Sequence, residues 1–101
     1  WNPEQLLVAA AANCHMLSYL ALCARHGVVV VDYVDAAVGT MVETPGAGGR
    51  FTGIELHPRV VLAPGSDAGL ARSLHHEAGE QCYIAASLNC PVTHAPEIVP
   101  G

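Results

Sequence analysis

The apolar positions of this chain change their period along its length. From Leu6 to Ala24 they are nearly continuous, and Asn13, His15 and Ser18 are the strongly polar interruptions. The run opens on Asn2-Pro3-Glu4-Gln5. Asn2 suits an N-cap, Pro3 the first helical position, and Gln5 can complete a capping box, while Glu4 favours the positive end of the helix dipole. Arg25 and His26 place cations at the other end, and Gly27 supplies a left-handed stop. The pattern predicts one helix roughly 36 Å long at 1.5 Å per residue. A membrane span is one reading of such a run. The polar interruptions favour the other, a central helix covered on all sides by protein.

Beyond Gly27 the period shortens. Val28 to Val34 is β-branched and aromatic and reads as a strand; Ala36 to Glu43 continues as a second strand or a bent extension. Pro45-Gly46-Ala47-Gly48-Gly49 is a turn. Phe51 to Ala63 alternates around Phe51, Ile54, Leu56, Val60 and Leu62, with Pro58 marking an edge or a bulge. The middle is therefore expected to be an antiparallel meander. Helical spacing returns after Pro64-Gly65-Ser66-Asp67, where Ser66 or Asp67 can cap. Leu70, Ala71, Leu74, Ala78, Cys82, Ala85 and Ala86 form one stripe, predicting a second helix that runs to Leu88-Asn89 and stops at Pro91. Pro91 to Val99 is a short final strand or tail. Helix, strands, helix and strand make an α+β domain spanning residues 1–101.

Composition narrows the function. Half of the 101 residues are hydrophobic (51%) and 13% are charged, so a buried core is within reach. The net charge is −5, with no lysine and four scattered arginines, Arg25, Arg50, Arg59 and Arg72. No basic footprint exists for nucleic acid or for an anionic membrane surface. Cys14, Cys23, Cys82 and Cys90 are too sparse for a disulfide framework and suit a cytoplasmic protein with reactive or buried thiols. The start lacks the basic region of a signal peptide. The chain opens on a helix cap without an initiator Met, and an upstream segment is expected.

Cys14 and Cys82 fall on different predicted helices. Cys14 sits mid-helix beside His15, and by itself reads most simply as a small buried hydrophobe. Glu4 precedes it by ten residues. The two side chains lie about 80° apart around the axis and about 15 Å apart along it, so any cooperation needs a bridging group. Cys82 shares a helix face with His75 and Ala78. If the helices pack, both thiols could come within disulfide range, although composition does not require it. Cys23 and His26 at i, i+3 could clip a metal, as could Cys14 with Cys82 and His75. The paired units typical of zinc sites are missing, and no metal or bound cofactor is expected. Cys23 and Cys90 read as packing residues.

Asn2-Pro3-Glu4-Gln5-Leu6-Leu7, followed by an Ala-rich run and Cys14, resembles the first signature of the OsmC/Ohr family (osmotically induced protein C and organic hydroperoxide resistance protein). Ala78-Gly79-Glu80-Gln81-Cys82-Tyr83-Ile84-Ala85, then Ser87-Leu88-Asn89 and Pro91-Val92, is similar to the second. The resemblance implies an OsmC-like fold, an antiparallel sheet packed against two long helices, in an intertwined homodimer. The family's first strands would lie upstream of Trp1. It also implies a thiol-dependent peroxidase. Cys14 matches the peroxidatic cysteine, which attacks the O–O bond of an organic hydroperoxide and becomes a sulfenate. Cys82 matches the resolving cysteine, which closes the Cys14–Cys82 disulfide. An external dithiol reductant, often a lipoyl group in the family, reopens it. Glu4 matches the carboxylate that holds an arginine over the peroxidatic thiol; that arginine lies upstream of the motif. His15 stands where hydroperoxide-resistance members usually carry an aromatic or apolar residue, and Gly79 where many carry His. These departures point to an OsmC-like branch. They also open a second reading, a protein that binds a small ligand or senses redox state with little turnover.

Overall fold

The computed structural model describes residues 2–101. Helix α1 runs Pro3–Arg25. Its start is built as the capping pattern predicts: the Asn2 side chain accepts the Gln5 N–H at 2.8 Å, and the Gln5 side chain accepts the Asn2 N–H at 3.2 Å. At the other end Gly27 takes φ 72°. This lets the Val28 N–H turn back onto the Cys23 carbonyl at 2.9 Å, which closes the helix.

Strands β1 (Val30–Asp35), β2 (Val38–Thr44), β3 (Gly48–Leu56) and β4 (Pro58–Leu62) follow. Then come α2 (Ala68–Gln81), α3 (Tyr83–Ser87), β5 (Val92–His94) and β6 (Glu97–Val99). The α+β class is as expected, but the strands do not make a single antiparallel meander. They form two three-stranded sheets, β1-β4-β6 and β2-β3-β5. Each joins one antiparallel pair, Tyr33 opposite Val60 or Gly39 opposite Ile54, to one parallel pair, Val60 opposite Ile98 or Ile54 opposite Val92. The stretch expected as one strand from Phe51 to Ala63 splits at His57. The His57 N–H donates to Asp35 Oδ1 at 2.8 Å, pinning the corner. Pro58 then opens β4, a position that needs no strand donor.

The second helix also differs from its expected extent. Asp67 caps α2 by accepting the Leu70 N–H at 3.0 Å. The helix stops at Gln81, because Cys82 turns to an extended conformation (φ −75°, ψ 112°), and a separate turn, α3, begins at Tyr83.

The core has two centres. Tyr19, Leu22 and Cys23 of α1 pack with Val60 and Leu62 of β4 and with Ala71, Leu74 and Ala78 of α2. Ala11 packs with Ile54, Leu56 and Cys90. Helix α1 is long and apolar enough to cross a membrane by length and composition, yet one face of it carries these contacts. Its buried residues Ala11, His15, Tyr19, Leu22 and Cys23 recur at helical spacing. The expected cover on all sides is not complete, since Leu6 and Leu17 remain exposed.

Candidate redox site

Cys14 lies mid-way along α1, and Cys82 is the residue at which α2 gives way to α3. Both line one groove of about 460 Å³. Leu17, Ser18, Ala21 and Arg25 continue the α1 wall, and Glu80, Gln81, Tyr83 and Ala86 form the other. Cys14 is partly exposed and Cys82 is buried, and both thiols are free. The two thiols are neighbours across the groove, and each shifts the titration of the other.

The break at Cys82 gives this contact its electrostatics. A new helical turn leaves its first N–H groups without intrahelical partners. That of Ala85 reaches Cys82 Sγ at 3.4 Å, and those of Tyr83 and Ile84 lie near enough to the Cys14 sulfur to favour its thiolate. Burial alone would raise the Cys14 pKa, but the hydrogen bonds from Cys82, Ile84 and Tyr83 together bring it below its ordinary value. Cys82 moves the other way: burial pushes it up, and its bond to Cys14 adds to the rise. The accessible sulfur is thus the readier thiolate, and the buried one holds the proton.

The next residue on α1 faces the core. His15 and His75 of α2 are 1% and 0% exposed. His15 Nε2 and His75 Nδ1 are 3.0 Å apart, with the rings within 4° of coplanar. Tyr19 stacks on His75 with ring centroids 3.8 Å apart, and His94 of β5 approaches His15 at 5.4 Å. His75 Nε2 is buried without a partner. A lone pair left unpaired costs less than an N–H left unpaired, so His75 donates through Nδ1 and His15 accepts. Burial first, then the neighbouring imidazoles, lowers the His15 pKa to about 4 and the His75 pKa to about 3.

A sequence model of the family described as OsmC-like protein matches residues 1–97. The chain belongs to the OsmC-like family. A solved OsmC-like protein of unknown function from Vibrio cholerae is 33% identical and superposes with a TM-score of 0.84, over 93% of this chain and 62% of its own. The uncharacterised protein YmaD of Bacillus subtilis is 30% identical over 90 residues, 86% of this chain and 59% of YmaD. The chain therefore spans about three-fifths of the length of these two relatives. The organic hydroperoxide resistance protein OhrB of Bacillus subtilis shares the fold, with a TM-score of 0.70 at 20% identity over 96% of this chain and 69% of that one.

Of Cys14, Cys82 and Glu4, the three residues expected at the site, the structure brings two together. Glu4 is exposed and lines a different cleft with Asn2, Val8, Asp35, Gly39 and Phe51. The helix geometry that separated Glu4 from Cys14 in the sequence separates them here. Arg25 closes the far end of the thiol groove, roughly 16 Å from Cys14 along the helix, and is not among the groups that shift its thiol. Cys23 and Cys90 are buried among apolar side chains, in the packing role expected of them. Among the described residues no group of three His, Cys, Asp or Glu is arranged to hold a metal ion. Sequence reasoning missed the Tyr83 and Ile84 N–H groups, because the unbroken apolar stripe through Cys82 concealed the helix break. It also missed His94, whose neighbours in space are far from it along the chain.

Proposed function

We propose that this OsmC-like protein is an organic hydroperoxide reductase, a peroxiredoxin-type oxidoreductase that works through Cys14 and Cys82. The observation that carries the reading is the paired groove: an accessible thiol of lowered pKa stands beside a buried thiol. In the first step the Cys14 thiolate attacks the distal oxygen of ROOH. The O–O bond breaks, sulfur takes that oxygen as Cys14–SOH, and RO⁻ leaves and takes a proton from solvent. The Cys82 thiol then displaces water from the sulfenic acid to form the Cys14–Cys82 disulfide. An external dithiol, a lipoyl group in keeping with the family, supplies two electrons and two protons to restore both thiols. The N–H groups of Tyr83 and Ile84 stabilise the thiolate before attack.

Leu6, Val38 and Val42 are large apolar side chains left in solvent, which supports the homodimer expected for the family. Four free thiols suit a reducing compartment and support a cytoplasmic location. The test is consumption of a bulky organic hydroperoxide in the presence of a dithiol. Cys14→Ser abolishes it, and turnover that survives this substitution overturns the assignment.

One observation favours a second reading, a ligand-binding or redox-sensing protein with little turnover: Glu4 opens onto a cleft that does not contain Cys14. Single-turnover oxidation separates the two. A reductase oxidises Cys14 far faster than free cysteine, and a sensor oxidises it at a similar rate.

A further inference from the structure

Three side-chain links cross from α1 to α2 and its C-cap Cys82, in reverse order along the two helices. The Tyr19 hydroxyl donates to the Ala71 carbonyl at 2.8 Å. His15 meets His75 at 3.0 Å. Cys14 meets Cys82. The helices are antiparallel and the thiols form the last rung. The rung beside them is His15–His75: His15 follows Cys14 directly, and His75 stands seven residues, about two turns, before Cys82.

Two buried histidines are a costly way to fill a helix contact. An apolar pair would leave no polar atom unsatisfied, whereas His75 Nε2 has no partner. An apolar contact, however, has no direction and lets one helix slide or rotate against the other. A hydrogen bond between flat rings fixes both distance and orientation. We propose that the His15–His75 hydrogen bond sets Cys14 against Cys82, making these two histidines positioning residues for the thiol pair, and that it does so only while both rings are uncharged. The proposal rests on the reading of Cys14 and Cys82 as a redox pair.

The surroundings favour the uncharged form. Tyr19 faces the rings from α1, Arg72 from α2 and His94 from β5; behind Tyr19 lie Cys23 of α1 and Tyr33 of β1. His76 lies beyond His94. Asp35 lies next to Tyr33, where it accepts the His57 N–H, and Glu97 of β6 pairs with Arg59. Among the described residues no ion pair includes His15, His75 or His94. A proton on either ring would be a buried charge with cations as its nearest charged neighbours. The lowered pKa values of both rings agree with this.

The experiment equilibrates the protein with mixtures of reduced and oxidised dithiothreitol, approached from both directions. Alkylation and peptide mapping then quantify the Cys14–Cys82 disulfide. In the exchange Cys14 and Cys82 form one S–S bond and pass two electrons and two protons to the dithiothreitol disulfide, which opens to the dithiol. At pH 7.5 His15→Leu and His75→Leu each lower the pairing constant by about tenfold, the scale of one lost hydrogen bond. His15→Gln, which keeps a polar atom at the Nε2 position, and His75→Asn, which keeps one at Nδ1, restore most of it. From pH 7.5 to 3.5 the wild-type constant falls, chiefly below pH 4.5, and that of the His15→Gln/His75→Asn double variant stays level. Leu variants that pair as well as wild type overturn the proposal. So does a wild-type pH profile that matches the double variant. These outcomes leave the redox reading standing. A wild type that forms no Cys14–Cys82 disulfide overturns both.

Discussion

The two halves of α1 meet different kinds of neighbour. Its C-terminal half, from His15 to Cys23, packs on α2 and on the sheet β1-β4-β6, and Tyr19, Leu22 and Cys23 are buried there. Its N-terminal half lies over the sheet β2-β3-β5 through Val8 and Ala11, and leaves Leu6 in solvent. Strand β2 at the edge of that sheet is exposed along nearly its whole length. A helix of one composition thus carries a finished core at one end and an open apolar face at the other. The difference lies in what packs against the helix: α2 closes only the C-terminal half. Cys14 sits at the boundary, with its backbone held by the closed half and its sulfur facing the groove.

Substitution in the two halves tests this contrast most strongly. Leu22→Ala removes a fully buried side chain and costs about 3 kcal/mol of unfolding free energy. Val42→Ala on the open sheet costs under about 0.5 kcal/mol in the single chain. Urea unfolding measures both, and equal costs would erase the distinction. Acid comes next, because His15 and His75, whose titration the fold lowers to about 4 and about 3, belong to the closed half. In the unfolded chain His15 titrates near 6.5, and in the fold near 4. Above pH 6.5 neither state binds the proton and stability is complete. Below it the unfolded chain takes up a proton that the folded chain refuses, so stability falls as the pH drops from 6.5 towards 4. The loss from His15 alone is ~3 kcal/mol, and urea midpoints for wild type against His15→Gln read it as the difference in slope.

Tyr19→Phe is a smaller probe of the same half. It keeps the ring that stacks on His75 and removes the hydroxyl bonded to the Ala71 carbonyl, at a cost of about 1 kcal/mol in thermal or urea unfolding. A local effect belongs to the open end. Asn2→Ala removes the acceptor of the Gln5 N–H and costs up to about 1 kcal/mol. Because the open half has little tertiary packing to propagate it, amide exchange of the first turn of α1 reports that loss before global unfolding does.

The sequence was readable where local chemistry decides the structure. Asn2, Pro3 and Gln5 mark the start of α1, and Gly27 its end, because caps are satisfied by residues within a few positions. Cys82 shows the opposite case. Its apolar spacing with Ala71, Leu74 and Ala78 continues a helix, and no Pro or Gly announces the break. The turn is held by a sulfur accepting the Ala85 N–H, a role usually filled by Asn, Asp or Ser. The parallel strands were hidden for another reason. Val92–His94 and Glu97–Val99 are each three residues long and pair with strands far upstream, and such short segments carry no periodicity to read. At the site, the two cysteines were visible through their surrounding motifs. The amides around Cys14 were not, since every residue has one and only the fold decides where it points.

The five residues of α3 have a consequence for timing. None of them is buried, and Tyr83 is 84% exposed. A segment held by so little packing opens at lower free energy than the helices beside it. When it frays, Cys14 loses the N–H groups of Tyr83 and Ile84, and Cys82 loses that of Ala85, in one event. The same fluctuation that loosens the hold on the Cys14 sulfur uncovers Cys82. In the reductase proposed above, one short turn would thus alternate the pair between a form ready for attack by its own thiolate and a form open to an outside thiol.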